Sequence, residues 1–172
     1  RYGLDASVRI QGAGMVNVKA ALDSEVFFES TKDSGKAKIE LKNNADMANG
    51  VIKLSFLAHN QGEAKTFNAK IKVYRPTVYR YQRRDTSKES PSINNVELQA
   101  ITNTLITEVN TVVNIPAGES TINLDTITLD AATKQYIEEH FEAACPIEGY
   151  VVLTNNHDPR LSIPFLGYYG DV

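Results

Sequence analysis

The side chains that could do chemistry are few. Three histidines (His59, His140 and His157) and one cysteine (Cys145) are the only bases and thiols of the kind enzymes use most often. Nucleophilic catalysis needs a nucleophile, a base and an orienting group in contact. His59 closes an alternating apolar run at a turn, His140 sits beside a helical apolar stripe, and His157 lies in a polar turn. None has the local signature of a catalytic base. Gly118-Glu119-Ser120-Thr121 lacks the closing glycine of a nucleophile elbow and follows Pro116, which predicts a hairpin turn. Cys145 precedes Pro146 at the expected C-terminal end of a helix, where the dipole disfavours a thiolate, so it reads as a small buried apolar residue.

Metal chemistry has no better footing. Asp125, Asp130, Asp158 and Asp171 are scattered, and nothing matches a calcium-loop pattern. Asn155-Asn156-His157-Asp158 offers oxygen ligands but reads as a turn. Glu138, Glu139 and Glu142 read as the wet face of an amphipathic helix. No catalytic residue, metal ligand or cofactor site is therefore assigned.

One segment stands out, from Tyr74 through Arg75-Pro76-Thr77-Val78-Tyr79-Arg80-Tyr81-Gln82-Arg83 to Arg84. Arginines interleaved with tyrosines can stack on aromatic partners. The plainer reading is an edge strand kept soluble by cations. Tyr74, Tyr79, Arg80, Tyr81, Arg83 and Arg84 are the candidate partner-binding residues. A protein partner is expected rather than nucleic acid, because the chain is net acidic and has no nucleic-acid motif.

These residues must be positioned by a chain of 172 residues, 42% hydrophobic and 23% charged, with a net charge of -3. That length supports one sizeable core, and the charge is too small for intrinsic disorder. A single cysteine excludes an internal disulfide. No apolar run is long enough to span a bilayer as a helix. The chain opens on Arg1 without a charged-then-apolar leader and is expected to be a piece of a longer polypeptide.

Gly12 and Gly14, then Val16, Ala20 and Ala21, predict a turn and a short helix. From Val26 the period becomes two. Ala37, Ile39 and Leu41 alternate with lysines. Ile52, Leu54, Phe56 and Ala58 alternate, and Phe67, Ala69, Ile71 and Val73 do so most cleanly. Residues 77–81 are expected to continue as an edge strand, and residues 83–95 to form a long mobile loop. Leu105 to Ile115 alternate again, and the turn at Pro116 is expected to lead into a strand over 121–129. Asp130 is a good N-cap for a helix with a stripe of Ala132, Tyr136, Ile137, Phe141 and Ala144, stopped by Pro146. Residues 149–154 and 161–166 complete the pattern as two strands. The expected fold is mainly β, an antiparallel β-sandwich with one inserted helix near 131–144.

Three blocks, in this order, resemble one family. Gln11-Gly12-Ala13-Gly14-Met15-Val16-Asn17-Val18-Lys19-Ala20-Ala21 resembles the end of subtilisin-type catalytic domains. Ile115-Pro116-Ala117-Gly118-Glu119-Ser120, followed by Tyr136-Ile137, Phe141 and Ile147-Glu148-Gly149-Tyr150-Val151, is the second block. The third is Leu161-Ser162-Ile163-Pro164-Phe165-Leu166-Gly167-Tyr168-Tyr169-Gly170-Asp171. The last two resemble the fibronectin type III-like domain behind the protease domain of bacterial cell-envelope subtilases, the lactocepin and C5a-peptidase group. Residues 75–104 match least.

The resemblance implies that residues 1–24 are a remnant of a catalytic domain or a linker, and that 25–172 form the fibronectin type III-like sandwich. The family's catalytic Asp, His and Ser lie before the first block and map onto nothing here. The implied function is that of a non-catalytic accessory domain of a secreted or surface subtilisin-like serine endopeptidase, located extracellularly or in the cell envelope. Its implied partners are the neighbouring domains of the protease and its protein substrate. An envelope- or host-protein-binding module and a structural spacer are the alternatives.

Overall fold

The structure, a computed structural model, describes residues 24–32, 36–87 and 92–171. The glycine turn, the helix expected near residues 16–21 and the first block of the resemblance lie outside the described residues. The fold is mainly β, as the alternation implies.

Five strands form the larger sheet: β2 (Ile39–Lys42), β10 (Leu161–Tyr169), β9 (Cys145–Thr154), β5 (Lys65–Asp85) and β6 (Ser92–Ile115), in that spatial order. A three-stranded sheet has the order β1 (Val26–Glu29), β4 (Ser55–Asn60), β7 (Gly118–Asn123). A short pair, β3 (Val51–Ile52) with β8 (Ile127–Thr128), adds a third patch. The pairs are antiparallel except that β2 runs parallel to β10, with Ile39 opposite Phe165. The uniformly antiparallel expectation is corrected at that edge.

The alternating residues do what their period requires. Phe67, Ala69, Ile71 and Val73 on β5 are buried together with Ile147, Val151 and Leu153 on β9 and Ile163 and Phe165 on β10. Phe28, Phe56, Ala58 and Ile122 of the smaller sheet join the same core. Each large side chain so buried contributes roughly 1.5–3 kcal/mol of transfer free energy. Asn60 is a buried polar residue whose side chain is fully used. It donates to the carbonyls of Glu63 (2.7 Å) and Ile115 (3.4 Å) and accepts from the Gly62 N–H (2.9 Å).

Three prolines mark where a neighbouring strand is missing, since proline cannot donate to a ladder. Pro76 follows Tyr74, the last β5 residue paired with β9. Pro146 precedes the part of β9 that meets β5, and Pro164 precedes the part of β10 that meets β2. Pro146 therefore does not stop the helix. That helix, α2 (Ala131–His140), ends at a C-cap, Phe141, which turns into extended backbone and buries its ring in the core. Asp130 is the N-cap and accepts from the Thr133 N–H at 2.7 Å. Ala132, expected in the apolar stripe, is exposed; Ile137 is buried. A one-turn helix, α1 (Ala45–Ala48), was not legible from periodicity. Asn44 caps it, and Met47 fills the space that Gly167 leaves open.

Three further expectations fail: one turn, one strand and one loop. Residues 116–119 do not close a hairpin: β6 belongs to the larger sheet, whereas β7 pairs with β4, so this turn carries the chain between sheets. The expected strand over 121–129 is two shorter ones, β7 and β8. Residues 83–95 are also not one loop. β5 continues to Asp85 and β6 begins at Ser92, with those two residues opposite each other. Past Tyr74 the two strands have no third neighbour among the described residues and run on as a two-stranded ribbon. Arg80, Gln82, Arg84 and Glu97 are exposed along it, and a stretch with few buried side chains needs no apolar alternation, so its sequence looks like a loop.

Candidate functional site

The Tyr/Arg segment occupies β5 from the sheet into this ribbon. From Pro76 to Asp85 the ribbon extends roughly 30 Å at the usual strand rise. Here it pairs with β6 on one side, with Arg80 opposite Glu97 and Arg84 opposite Ile93, and no longer with β9 on the other, so residues 77–81 lie in an edge strand as expected.

The six candidate residues separate. Tyr74 is buried on the outer face of the larger sheet. Tyr79 is 57% exposed. Arg80 donates from Nε to Glu97 Oε1 at 2.7 Å. Arg84 is exposed and enters no ion pair among the described residues. The backbones of Tyr81 and Arg83 lie opposite Val96 and Asn94, and their side chains fall outside the described set.

Helix α2 clasps the base of the ribbon through residues the sequence reading had not joined. The Arg75 guanidinium lies 4.0 Å from the centre of the Tyr136 ring, a cation–π contact. Tyr136 in turn packs on His140, with ring centres 4.2 Å apart. His140 Nδ1 is 2.9 Å from Glu97 Oε2, so Glu97 bridges His140 and Arg80. The His140 hydrogen bond, ahead of the one from Arg80, holds the Glu97 carboxyl below its usual range. The only sequence signal for this clasp was the one-turn spacing of Tyr136 and His140 on a helix. Nothing local marked Glu97.

The other candidates have structural partners. His59 Nε2 is 2.8 Å from Glu29 Oε2 and Nδ1 is 3.6 Å from Glu119 Oε2, while its ring stacks on Phe27 at 4.4 Å. Ser120, opposite Ala58, occupies the other face of that sheet from His59 and Glu119, which pair with each other one residue on. The Asn155 side chain accepts from the N–H groups of His157 and Asp158 and donates to Asp158 Oδ2, an Asx-type turn as expected. Asp158 also accepts from Lys65 Nζ at 2.6 Å. Among the described residues no three His, Cys, Asp or Glu side chains converge as a metal site would require. No helix among them is long and apolar enough to cross a membrane.

No model of a known protein family matches the chain, and no curated protein matches it.

Cys145 is fully buried on β9, not at a helix end, and its thiol faces the Pro146 carbonyl at 3.6 Å. A buried thiol reacts only when the sheet opens. Its labelling by an aromatic disulfide reagent is expected to be negligible in buffer and to rise with the urea unfolding curve. Stoichiometric labelling of the native chain within minutes contradicts this burial.

Proposed function

We propose that the chain is a non-catalytic accessory β-sandwich of a secreted or surface-attached subtilisin-like serine endopeptidase. In this reading it packs on the catalytic domain, stabilises it and helps position protein substrates. The support is the ordered sequence resemblance, together with one structural observation: a two-sheet core that carries a long Tyr/Arg ribbon clasped at its base by α2. A lone two-stranded ribbon is marginal in water. Tyr79 and Arg84 leave its far part equipped for a protein surface, which suits docking rather than chemistry.

The test uses the parent protease with and without this domain. Loss of a docked accessory lowers the melting temperature or changes substrate preference, seen as altered kcat/KM ratios between casein and a short peptide. Unchanged stability and unchanged ratios leave only the spacer reading. On the chain itself, serine labelling by a fluorophosphonate probe would overturn the non-catalytic claim.

The ribbon also favours the second reading, a module that binds an envelope or host protein. Tyr79→Ala with Arg84→Glu is the cleaner variant, since Arg80→Glu also breaks the Glu97 pair. On that reading, capture of the partner falls at least about tenfold, as for loss of an interface anchor, with the melting temperature nearly unchanged. Undiminished capture removes it.

A further inference from the structure

The outer face of the larger sheet holds a second feature, away from the ribbon tip. Lys70, Lys72 and Tyr74 of β5 stand beside Tyr150 and Val152 of β9, with Arg160 just before β10. In register, Lys72 is opposite Tyr150 and Lys70 opposite Val152. Together they line a cavity of about 300 Å³, the lower end of the range for small-ligand sites.

Its chemistry is unusual for a chain whose net charge is -3. The lining carries three cations and no anion. Lys70 is engaged by Glu108 at 3.4 Å. Lys72 and Arg160 enter no ion pair among the described residues. Two carboxylates flank the cavity: Glu108 of β6, opposite Lys72 in register, and Glu148 of β9, which is buried and accepts from Asn103 Nδ2 at 2.8 Å. Tyr74 and Tyr150 are buried, so the cavity has an aromatic floor beneath a cationic rim.

We propose that this cavity binds a carboxylate carried on an aromatic body. The ring lies against Tyr150 and Val152, and the carboxylate meets Lys72 and the Arg160 guanidinium, whose fork matches two carboxylate oxygens. The same chemistry is presented by a free aromatic acid and by an acidic, aromatic peptide.

The experiment titrates the isotope-labelled 172-residue chain with N-acetyl-L-phenylalanine at pH 7 and follows backbone amide signals. Saturable shifts are expected on β5 near Lys72 and on β9 near Tyr150, with a Kd on the order of 1 mM for so small a probe. The C-terminal amide of the same probe binds at least about tenfold more weakly, as does the acid to Lys72→Glu or Arg160→Glu. The peptide acetyl-Glu-Phe-Glu-amide separates the sources: tighter binding than the free acid assigns a peptide ligand, and weaker binding a small acid. Equal shifts from acid and amide, shifts that survive both charge reversals, shifts confined to other strands, or no shifts at all overturn the proposal. Arg160→Gln, and the salt dependence of the unaltered chain, keep the test decisive if a charge reversal perturbs folding.

Discussion

Gly149→Ala is expected to destabilise the chain by about 3 kcal/mol or more, the upper end of overpacking penalties. Gly149 sits where β9 lies between β10 and β5, opposite Phe165 on one side and Val73 on the other. A β-carbon there would fall well inside contact distance of the Lys72 carbonyl oxygen and 2.7 Å from Phe165 Cζ. The first neighbour is backbone of an adjacent strand, so no rotamer change relieves it. The measurement is urea unfolding, with a large fall in midpoint at unchanged slope. Phe165→Leu added to Gly149→Ala removes the ring contact but not the carbonyl collision, so the double variant stays strongly destabilised. Gly118→Ala is the control. A β-carbon there meets nothing within 4 Å, and only its φ of 83° opposes the change, a cost of about 1 kcal/mol. Equal effects at the two glycines contradict the close-approach argument.

Stability is expected to fall at both ends of the pH scale, for reasons that name different residues. Partial burial pushes the Asp158 carboxyl up, but hydrogen bonds from Lys65 and Asn155 outweigh it and leave it below its usual value of 3.8. Glu97 and Asp130 are also held low, by His140 and by the Thr133 N–H respectively. Groups with depressed values stabilise the fold above their unfolded pKa, and that contribution is lost as pH falls through the folded value. The acid limb therefore lies below about pH 4. At the other end, the Asp158 and Glu25 hydrogen bonds raise the Lys65 ammonium above 10.5. Burial, then the hydrogen bond to Glu138 at 2.7 Å, pushes the Tyr169 hydroxyl up to about 12. Both groups hold their proton longer in the folded chain, so their stabilisation is complete below the unfolded value and lost as pH rises above about 10. Melting temperature measured from pH 2 to 12 should form a broad plateau with two falling limbs. Asp158→Asn flattens the acid limb and Tyr169→Phe the alkaline one. Limbs that are unchanged in both variants contradict these assignments.

Much of the secondary structure is local in origin, and so it was legible. The period-two run from Phe67 to Val73 is a strand with the expected residues buried. Ile52, Leu54, Phe56 and Ala58 are all buried but divide between β3, a connection and β4. Of the run from Leu105 to Ile115 only Val113 and Ile115 are buried, Leu105 being exposed. Asp130 capped its helix because an N-cap needs only its own side chain and an N–H three residues on. The turn at Asn155 follows from the same short reach.

The candidate site was legible only as an Arg/Tyr stripe. Alternation identifies a strand but not its neighbours, so the stripe's pairing with β6, the burial of Tyr74 and the Glu97 bridge to His140 could not be read from it. Proline and glycine were misread for the same reason. Pro146 looked like a helix stop and is a strand residue beyond the reach of β5. Pro116 to Gly118 looked like a hairpin and is a crossing between sheets.

Short-range forces, namely side-chain alternation, capping and turn preference, thus determined from the sequence alone that this chain is a layered β protein with a capped helix. Tertiary structure alone decided which strands are neighbours, where a ribbon outruns its sheet, and which charges meet. Those outcomes depend on contacts between residues tens of positions apart, whose energies no local pattern encodes.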